Sequence, residues 1–486
     1  MKILFIYSLN IVGSLAKPLE SPEQIQFGIS YISSFLKKHG HQTRMIVLSR
    51  TSPKNNRHIL DEYLKKFSPE LICFTAVSTE YQFIANIAKY IKEKWPNIYL
   101  LVGGPYVSLN PNGILSDGFD ALCVGEGENP ALELVSQLEK GVLPSTIPNL
   151  WIKRGSEIEK NLPRPFLQDL DSLPFPDREM WQEWTKERPG ARYSVLLGRG
   201  CPFQCTYCSN HALKKLASGS YVRFRSPDNI IEEIKDIIAR FPMQKREIYL
   251  EVESFGVDKK WAIELCSKLE SFNKTVNQLL SFGVNLRIMP NADFEDLLVA
   301  CKKANFRFIN IGLESGSERV RREILKRNYS NKDVVNTVSL ARKHSLKVAF
   351  YNMVGLPGET VADFKETVEI NRTCLPDWHL TGIFFPYPGT DLYFLCKEKG
   401  LLKESSGEEI ERMKATLDLP GFNKKQIQRN YIWFDYYVYN GLKPMHKILG
   451  RVLRAYFMSK PYSAIFWKKL LRLPLLRSLR ERYGEY

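Results

Sequence analysis

The sequence predicts an α/β protein built from two parallel-stranded parts. The first is a doubly wound, Rossmann-like domain over residues 1–140. The second is a partial (β/α)6 TIM-like barrel over 191–400, followed by a helical C-terminal extension over 401–486. Two observations carry this: short apolar runs alternate with amphipathic segments in both parts, and a proline-rich stretch at 141–190 separates them.

Within 1–140, Ile3–Tyr7 reads as a buried strand rather than a signal peptide, since its apolar run is short and no small-residue cleavage site follows. Phe27–His39 has helical periodicity and stops at Gly40. Met45–Leu48, Leu71–Ala76, Tyr99–Val102 and Ala121–Val124 read as strands, with the amphipathic Tyr81–Lys94 between the second and third of these. Ligands of such sheets bind beyond the carboxyl ends of the strands. The turn Gly103-Gly104-Pro105 lies at one such end, where two glycines let the backbone approach a bulky ligand. In 191–400 the strands are Tyr193–Leu197, Glu247–Val252, Val284–Ile288, Phe308–Leu313, Lys347–Val354 and Leu380–Phe385. Chemistry in a barrel of this type collects at the C-terminal strand ends.

The chain has 486 residues and is 44% hydrophobic, enough for two or three domains with sizeable cores. No run of 18 apolar residues offers a spanning helix. Of nine cysteines, Cys73, Cys123, Cys266, Cys301, Cys374 and Cys396 are scattered singly, as core packing residues are. The other three are Cys201, Cys205 and Cys208, spaced C-x3-C-x2-C after Gly198-Arg199-Gly200. Three thiolates on one loop can hold three irons of a cubane and leave the fourth open to a cofactor or substrate. A zinc loop or three unrelated buried thiols are the competing readings, although a structural zinc usually takes four ligands.

This spacing, with Tyr207 before the last cysteine, resembles the radical S-adenosylmethionine (SAM) enzymes. The resemblance implies a [4Fe–4S] cluster on Cys201, Cys205 and Cys208, with SAM chelated at the open iron and Tyr207 beside it. Further motifs fit the same family. Gly312-Leu313-Glu314-Ser315-Gly316 is similar to a SAM-contacting motif, which implicates Glu314 and Ser315, although Ser315 or Ser317 could instead cap a helix. Arg287 resembles an arginine that approaches the cofactor carboxylate. Glu253, in Glu251-Val252-Glu253-Ser254-Phe255, could sit near the methionyl ammonium. In Gly355-Leu356-Pro357-Gly358-Glu359-Thr360, Leu356 could pack on adenine, and Glu359 and Thr360 would begin a helix with acid at its positive end.

The N-terminal part resembles the cobalamin-binding domain of a large radical SAM subfamily. Gly103, Gly104 and Pro105, then Gly125-Glu126-Gly127, and Ser78 and Thr79 at a strand end, would face the corrin. Many such domains place an axial histidine after the first strand. Here Tyr7-Ser8-Leu9-Asn10-Ile11-Val12-Gly13 has none, so either cobalamin binds without a protein ligand or the domain keeps only the fold.

The resemblance implies a cobalamin-dependent methyltransferase acting on an unactivated carbon. The alternatives are a radical cyclase or rearrangement enzyme, a hydrogen-abstracting oxidoreductase that does not use cobalamin, and a non-catalytic iron–sulfur protein. The expected partners are a small-molecule or lipid-like substrate and an electron donor such as flavodoxin or ferredoxin, in a reducing, cytoplasmic compartment. Net charge is +16, and Lys443–Tyr486 carries eleven Lys/Arg against two Glu, a net +9. With Phe466-Trp467-Lys468-Lys469-Leu470-Leu471-Arg472-Leu473, that region reads either as a helical cap packing its aromatics, Tyr431 to Tyr439 among them, over the barrel mouth, or as a peripheral surface for anionic lipid. No nucleic-acid module is visible, so no nucleic-acid partner is expected.

Overall fold

The computed structural model describes residues 1–10, 17–50, 53–186, 192–241, 243, 246–402 and 411–460. The chain forms two compact units. One comprises Met1–Phe203, Cys208–Asn229 and Tyr387–Thr390; the other comprises Gln204–Tyr207, Ile230–Pro386 and Asp391–Tyr486.

In the first unit seven strands form one sheet: β1 (Lys2–Leu9), β2 (Gln42–Ser49), β3 (Leu71–Thr75), β4 (Tyr99–Gly103), β5 (Ala121–Cys123), β6 (Leu150–Arg154) and β7 (Glu157–Lys160). Their order is β2-β1-β3-β4-β5-β6-β7. The first five pair in parallel, and β6 and β7 add antiparallel. The order reverses between β1 and β3, the switch point where doubly wound sheets bind ligands. Ile3, Leu4, Ile6, Ile46, Leu71, Ile72, Leu100 and Val102 are buried, as strands covered on both faces require. Helices Phe27–Lys38 and Tyr81–Lys94 fall where the periodicity puts them.

The stretch 141–190 is only partly a linker. Leu150 and Ile152 alternate with more exposed residues and extend the sheet as β6. Farther on, Trp181 and Trp184 enter the first core, and their indole N–H groups donate to Ser30 Oγ (2.8 Å) and the Met45 carbonyl (3.1 Å). Two large aromatic rings with satisfied N–H groups overcome the extended bias of the prolines. Strand β8 (Tyr193–Leu196) follows, then a short ribbon of β9 (Gly198–Arg199) antiparallel to β10 (Arg223–Phe224).

In the second unit β11 (Glu247–Phe255), β12 (Ser281–Leu286), β13 (Phe306–Glu314), β14 (Lys347–Val354) and β15 (Trp378–Ile383) pair in parallel, each beside the next in sequence. Helices Lys259–Asn273, Glu295–Lys303, Asn331–Lys343 and Val361–Cys374 alternate with them. With β8, every strand expected of the six βα units is present. The C-terminal helices Lys424–Ile432, Phe434–Tyr439 and Met445–Met458 belong to this unit's core. Phe434 and Tyr437, with Phe422 just before the first of these helices, meet Phe364 of the helix Val361–Cys374, Phe434 and Tyr439 meet His379 of β15, and Ile427 reaches Gly355 at the end of β14. The segment Phe466–Leu473 lies outside the described residues.

The turn after β14 differs in detail from expectation. Thr360 caps the helix Val361–Cys374 in a reciprocal box with Asp363, so Asp363 is the acid at the helix start. Glu359 instead folds back, and its Oε2 accepts from the N–H groups of Gly355 (2.6 Å) and Leu356 (2.9 Å). Its Oε1 is buried without a partner. Burial pushes this carboxyl from 4.5 up to about 8, against the two N–H bonds that lower it. The folded state therefore holds a proton that the unfolded chain releases. The associated stability is full below 4.5 and is lost as pH rises toward about 8. Glu359→Gln keeps the acceptor and removes the titration. Thermal melts should show this variant close to wild type at acid pH and several degrees more stable at pH 8, whereas parallel pH profiles would contradict the assignment.

Candidate active site

In the first unit, Gly104 has φ +101°, and a Cβ there would lie 2.8 Å from both the N and O of Ala76 and from Thr75 Oγ1. Only glycine lets β4 turn this close to the end of β3. Gly103 precedes it at the end of β4, and Pro105 occupies the first position of the short helix Pro105–Leu109. Ser8 Oγ at the end of β1 and Ser78 Oγ beyond β3 are buried without a partner, on either side of the switch point. Val77 beside Ser78 is exposed, and the Thr79 carbonyl accepts from Arg50. Two orphaned hydroxyls and an uncovered apolar side chain fit a large ligand there. The part of the expected axial segment beyond Asn10 lies outside the described residues.

The Gly125-Glu126-Gly127 loop is placed differently from expectation. Gly125 has φ +91° and donates its N–H to Ser108 Oγ (3.0 Å), and Gly127 packs on Ile32. Glu126, however, points to arginines. Its Oε1 accepts from Arg199 (3.0 Å) and Arg223 (2.9 Å), and its Oε2 accepts from the Leu167 N–H (2.8 Å). Burial would raise this carboxyl, but Arg199, Arg223 and the Leu167 N–H outweigh it and hold Glu126 below the usual range. A carboxylate so engaged does not face a cofactor. Glu128, which follows directly in the sequence, joins the same network by accepting from Arg199.

The cysteine loop begins in the first unit at Gly200 and Cys201. A Cβ at Gly200 would fall 1.9 Å from the Tyr221 carbonyl oxygen, so the backbones of the entry strand and Tyr221 run in contact. Cys201 is buried. Cys208 directly precedes the helix Ser209–Leu213, and its sulfur accepts from Asn210 Nδ2 (3.8 Å), while Asn210 Oδ1 accepts from the Tyr221 hydroxyl (2.7 Å).

In the second unit, Arg287 sets Nη1 2.8 Å from Cys205 Sγ, a sulfur contact where a cofactor carboxylate was expected. Tyr207 donates to Glu314 Oε1 (2.9 Å), and Arg327 Nη1 donates to the Tyr207 oxygen (2.9 Å) and to Glu314 Oε1 (3.2 Å). Arg327 Nη2 and the Tyr329 hydroxyl both donate to the Gly312 carbonyl (2.6 and 3.0 Å). Glu314 has φ +60°, and the β13–β14 register slips between Gly312 and Glu314. The slip re-aims the carboxylate at the strand end, and the left-handed backbone of a non-glycine residue is the kind of strain that gathers at functional sites. Burial would lower the Arg327 pKa, but Tyr207, Tyr329, Glu314 and Cys205 hold it well above its ordinary value. Arg327 and Tyr329 escaped the sequence reading because Arg319–Tyr329 looks like an ordinary charged surface segment.

Two expected residues are not placed to touch a cofactor. Leu356 is 0% exposed among Val320, Phe364 and Ile427, so it is core rather than a platform for adenine. Ser315 is likewise fully buried, with its hydroxyl between Thr367 and the Ser317 N–H. Glu253 is exposed near the end of β11.

None of the nine cysteines is in a disulfide. Among the described residues no three His, Cys, Asp or Glu side chains converge on one metal-ion position. A cubane takes each of three thiolates on a different iron, and the C-x3-C-x2-C loop supplies three thiols within eight residues. The donor set suits the cluster.

Residues 195–370 match the Radical SAM superfamily, and residues 22–135 match the B12 binding domain. The chain thus carries a B12-binding domain followed by a Radical SAM domain, the pair found in cobalamin-dependent radical SAM enzymes. The cofactors of such an enzyme are a [4Fe–4S] cluster, SAM and cobalamin. An uncharacterised methyltransferase of Pyrococcus horikoshii is 25% identical over 423 residues, covering 86% of this chain and 87% of its own. The radical SAM methyltransferase TsrM of Kitasatospora setae, solved with tryptophan and a SAM analogue, superposes with TM-score 0.64 at 16% identity, over 83% of this chain and 77% of its own. The cobalamin-dependent radical SAM enzyme OxsB, solved with aqua-cobalamin and SAM, gives 0.66 at 15% identity, over 97% and 75%. At these identities the structural likenesses establish the shared fold.

Arg327→Met should leave the half-buried Glu314 carboxylate without its guanidinium partner at a cost of about 3 kcal/mol, read from urea unfolding, with Arg327→Lys recovering part of it. An unchanged unfolding midpoint would show that Arg327 does not hold Glu314.

Proposed function

We propose that the chain is a cobalamin-dependent radical SAM methyltransferase acting on an unactivated carbon. The observation that carries the reading is one chain in which a C-x3-C-x2-C loop accompanies a B12-type sheet whose switch point presents unsatisfied Ser8 and Ser78 hydroxyls. The methyltransferase names of the Pyrococcus relative and of TsrM favour methyl transfer.

Cys201, Cys205 and Cys208 hold the cluster. When bound, the cluster supplies the electron that cleaves SAM to a 5′-deoxyadenosyl radical, and cobalamin supplies the methyl group. The protein's part is placement. Arg287 lays positive charge on the Cys205 sulfur, and charge and hydrogen bonds at the sulfurs tune a cluster's potential. Glu314, fixed by Tyr207 and Arg327, offers a hydrogen-bond acceptor for the ribose hydroxyls or ammonium of SAM. Gly103, Gly104, Pro105, Ser78 and Thr79 form the strand ends against which a corrin would lie, with Gly125 and Gly127 on the neighbouring loop.

The substrate is a small or lipid-like molecule, and the reductant is a flavodoxin- or ferredoxin-type donor. The C-terminal region supports peripheral contact with anionic lipid in a cytoplasmic enzyme. The helix Met445–Met458 buries Ile448 and Val452 while exposing Met445, Leu449, Leu453 and Tyr456 along one side, with Lys447 and Arg454 exposed on the same helix. No helix among the described residues is long and apolar enough to cross a membrane.

Anaerobic reconstitution should give a cluster chromophore and, with dithionite, 5′-deoxyadenosine from SAM. Alanine at any one of Cys201, Cys205 or Cys208 should abolish both, and retention of cleavage in any variant would refute the ligand set. Methylated product that forms only with cobalamin present supports methyl transfer, whereas unmethylated product without cobalamin contradicts it. In co-sedimentation, wild type should bind equimolar phosphatidylcholine–phosphatidylglycerol vesicles in a salt-sensitive way. Leu449→Glu with Leu453→Glu should lose that binding, and equal binding by this variant would rule out the helix as the contact.

A further inference from the structure

The loop after β5 and the ribbon that leads into the cysteine loop share one buried ionic network. Arg199 and Arg223 are directly opposed across the β9–β10 ribbon, and Cys201 comes two residues after Arg199. Like charges facing each other across strands destabilise a ribbon unless something neutralises them. Glu126 does so: Arg199 Nη1 and Arg223 Nη1 donate to its Oε1 at 3.0 and 2.9 Å, and Arg223 Nη1 also reaches Oε2 at 3.1 Å. Glu128 Oε1 accepts from Arg199 Nη2 at 2.5 Å. The side chains of Arg223 and Glu128 are each only 5% exposed. Arg199 also lies over the Tyr31 ring and Arg223 over the Phe166 ring, which limits the tilt of either guanidinium. The same four-residue loop donates the Gly125 N–H to Ser108, on the helix that Gly104 and Pro105 begin.

A member of such a network cannot move without leaving its partners uncompensated in a poorly solvated place. We propose that Glu126 and Glu128 are positioning residues that transmit the occupancy of the corrin loops through Arg199 to the Cys201 end of the cysteine loop, so that corrinoid binding and cluster binding are energetically coupled. The proposal rests on the reading of Cys201 as a cluster ligand and of the Gly104 turn as a corrin contact. A purely structural clamp would stabilise the fold equally in every cofactor state and give no coupling. Coupling is reciprocal, so either cofactor can report it.

The test is a binding cycle on the full chain. Hydroxocobalamin affinity is measured by titration with the cluster loaded and with it absent, for wild type, Glu126→Gln and Glu128→Gln. A Mössbauer spectrum of the 57Fe cluster is taken with and without hydroxocobalamin. The expected result is that cluster loading tightens wild-type cobalamin binding about fivefold or more, and that cobalamin shifts the cluster's quadrupole splitting. In Glu126→Gln the affinity ratio should fall toward one and the spectral shift should vanish, with iron content retained. Should Glu126→Gln not fold, Glu128→Gln, which keeps Glu126 between the arginines, decides by the same two readouts. A wild-type ratio of one, or an undiminished ratio in the variants, overturns the coupling alone. A wild type that takes up no corrinoid or no cluster overturns the underlying reading and the proposal with it.

Discussion

Arg199, Arg223, Glu126 and Glu128 can leave water only because they lie within hydrogen-bond reach of one another. Isolated charges taken out of water cost several kcal/mol each, and the cost is met only by close partners. The entry to the cysteine loop follows from this constraint. Arg199, just before Cys201, faces Arg223 across the β9–β10 ribbon, so an anion had to be supplied from the β5 loop, and that loop is thereby held. The second unit solves the same problem with Arg327, whose guanidinium holds the Glu314 carboxylate, the Tyr207 hydroxyl and the Gly312 carbonyl in one arrangement.

Both networks stand at the C-terminal ends of parallel strands. There the peptide ladder stops and side chains of different strands first meet, so a ligand can be gripped without disturbing a sheet. The unsatisfied hydroxyls of Ser8 and Ser78 and the strained backbone of Glu314 are local costs. A stable fold tolerates them where a ligand or a buried partner compensates. The rest of the molecule is ordinary by comparison: strands buried on both faces and helices packed by apolar stripes.

Much of the fold was legible because its signals are local. Apolar runs such as Ile3–Tyr7 and Leu71–Ala76 and the periodicity of Tyr81–Lys94 depend on the burial of those segments alone, and the strands and helix fall on them almost residue for residue. The cysteine triad was legible because its spacing is itself the chemistry. What was hidden depended on tertiary partners. Glu126 sits in a glycine-rich loop that looks built for a ligand, and only the arrival of Arg199 and Arg223 from distant sequence reassigns it. Leu356 lies in a cofactor-like motif, yet Ile427 and other residues of the C-terminal helices bury it. Arg327 sits in a charged run that periodicity assigns to solvent. Trp181 and Trp184 fold back onto the first sheet from a stretch whose prolines suggested open chain.

A cluster held by Cys201, Cys205 and Cys208, with one iron free to bind SAM, is what the proposed chemistry requires first. Its most direct test is the hyperfine spectrum of the reduced, reconstituted enzyme with SAM carrying 15N or 14N in its amino group. A nitrogen coupling at the cluster is expected that changes with the isotope and disappears in the Cys205→Ala protein. A cluster spectrum that is indifferent to the isotope while SAM is bound would contradict it.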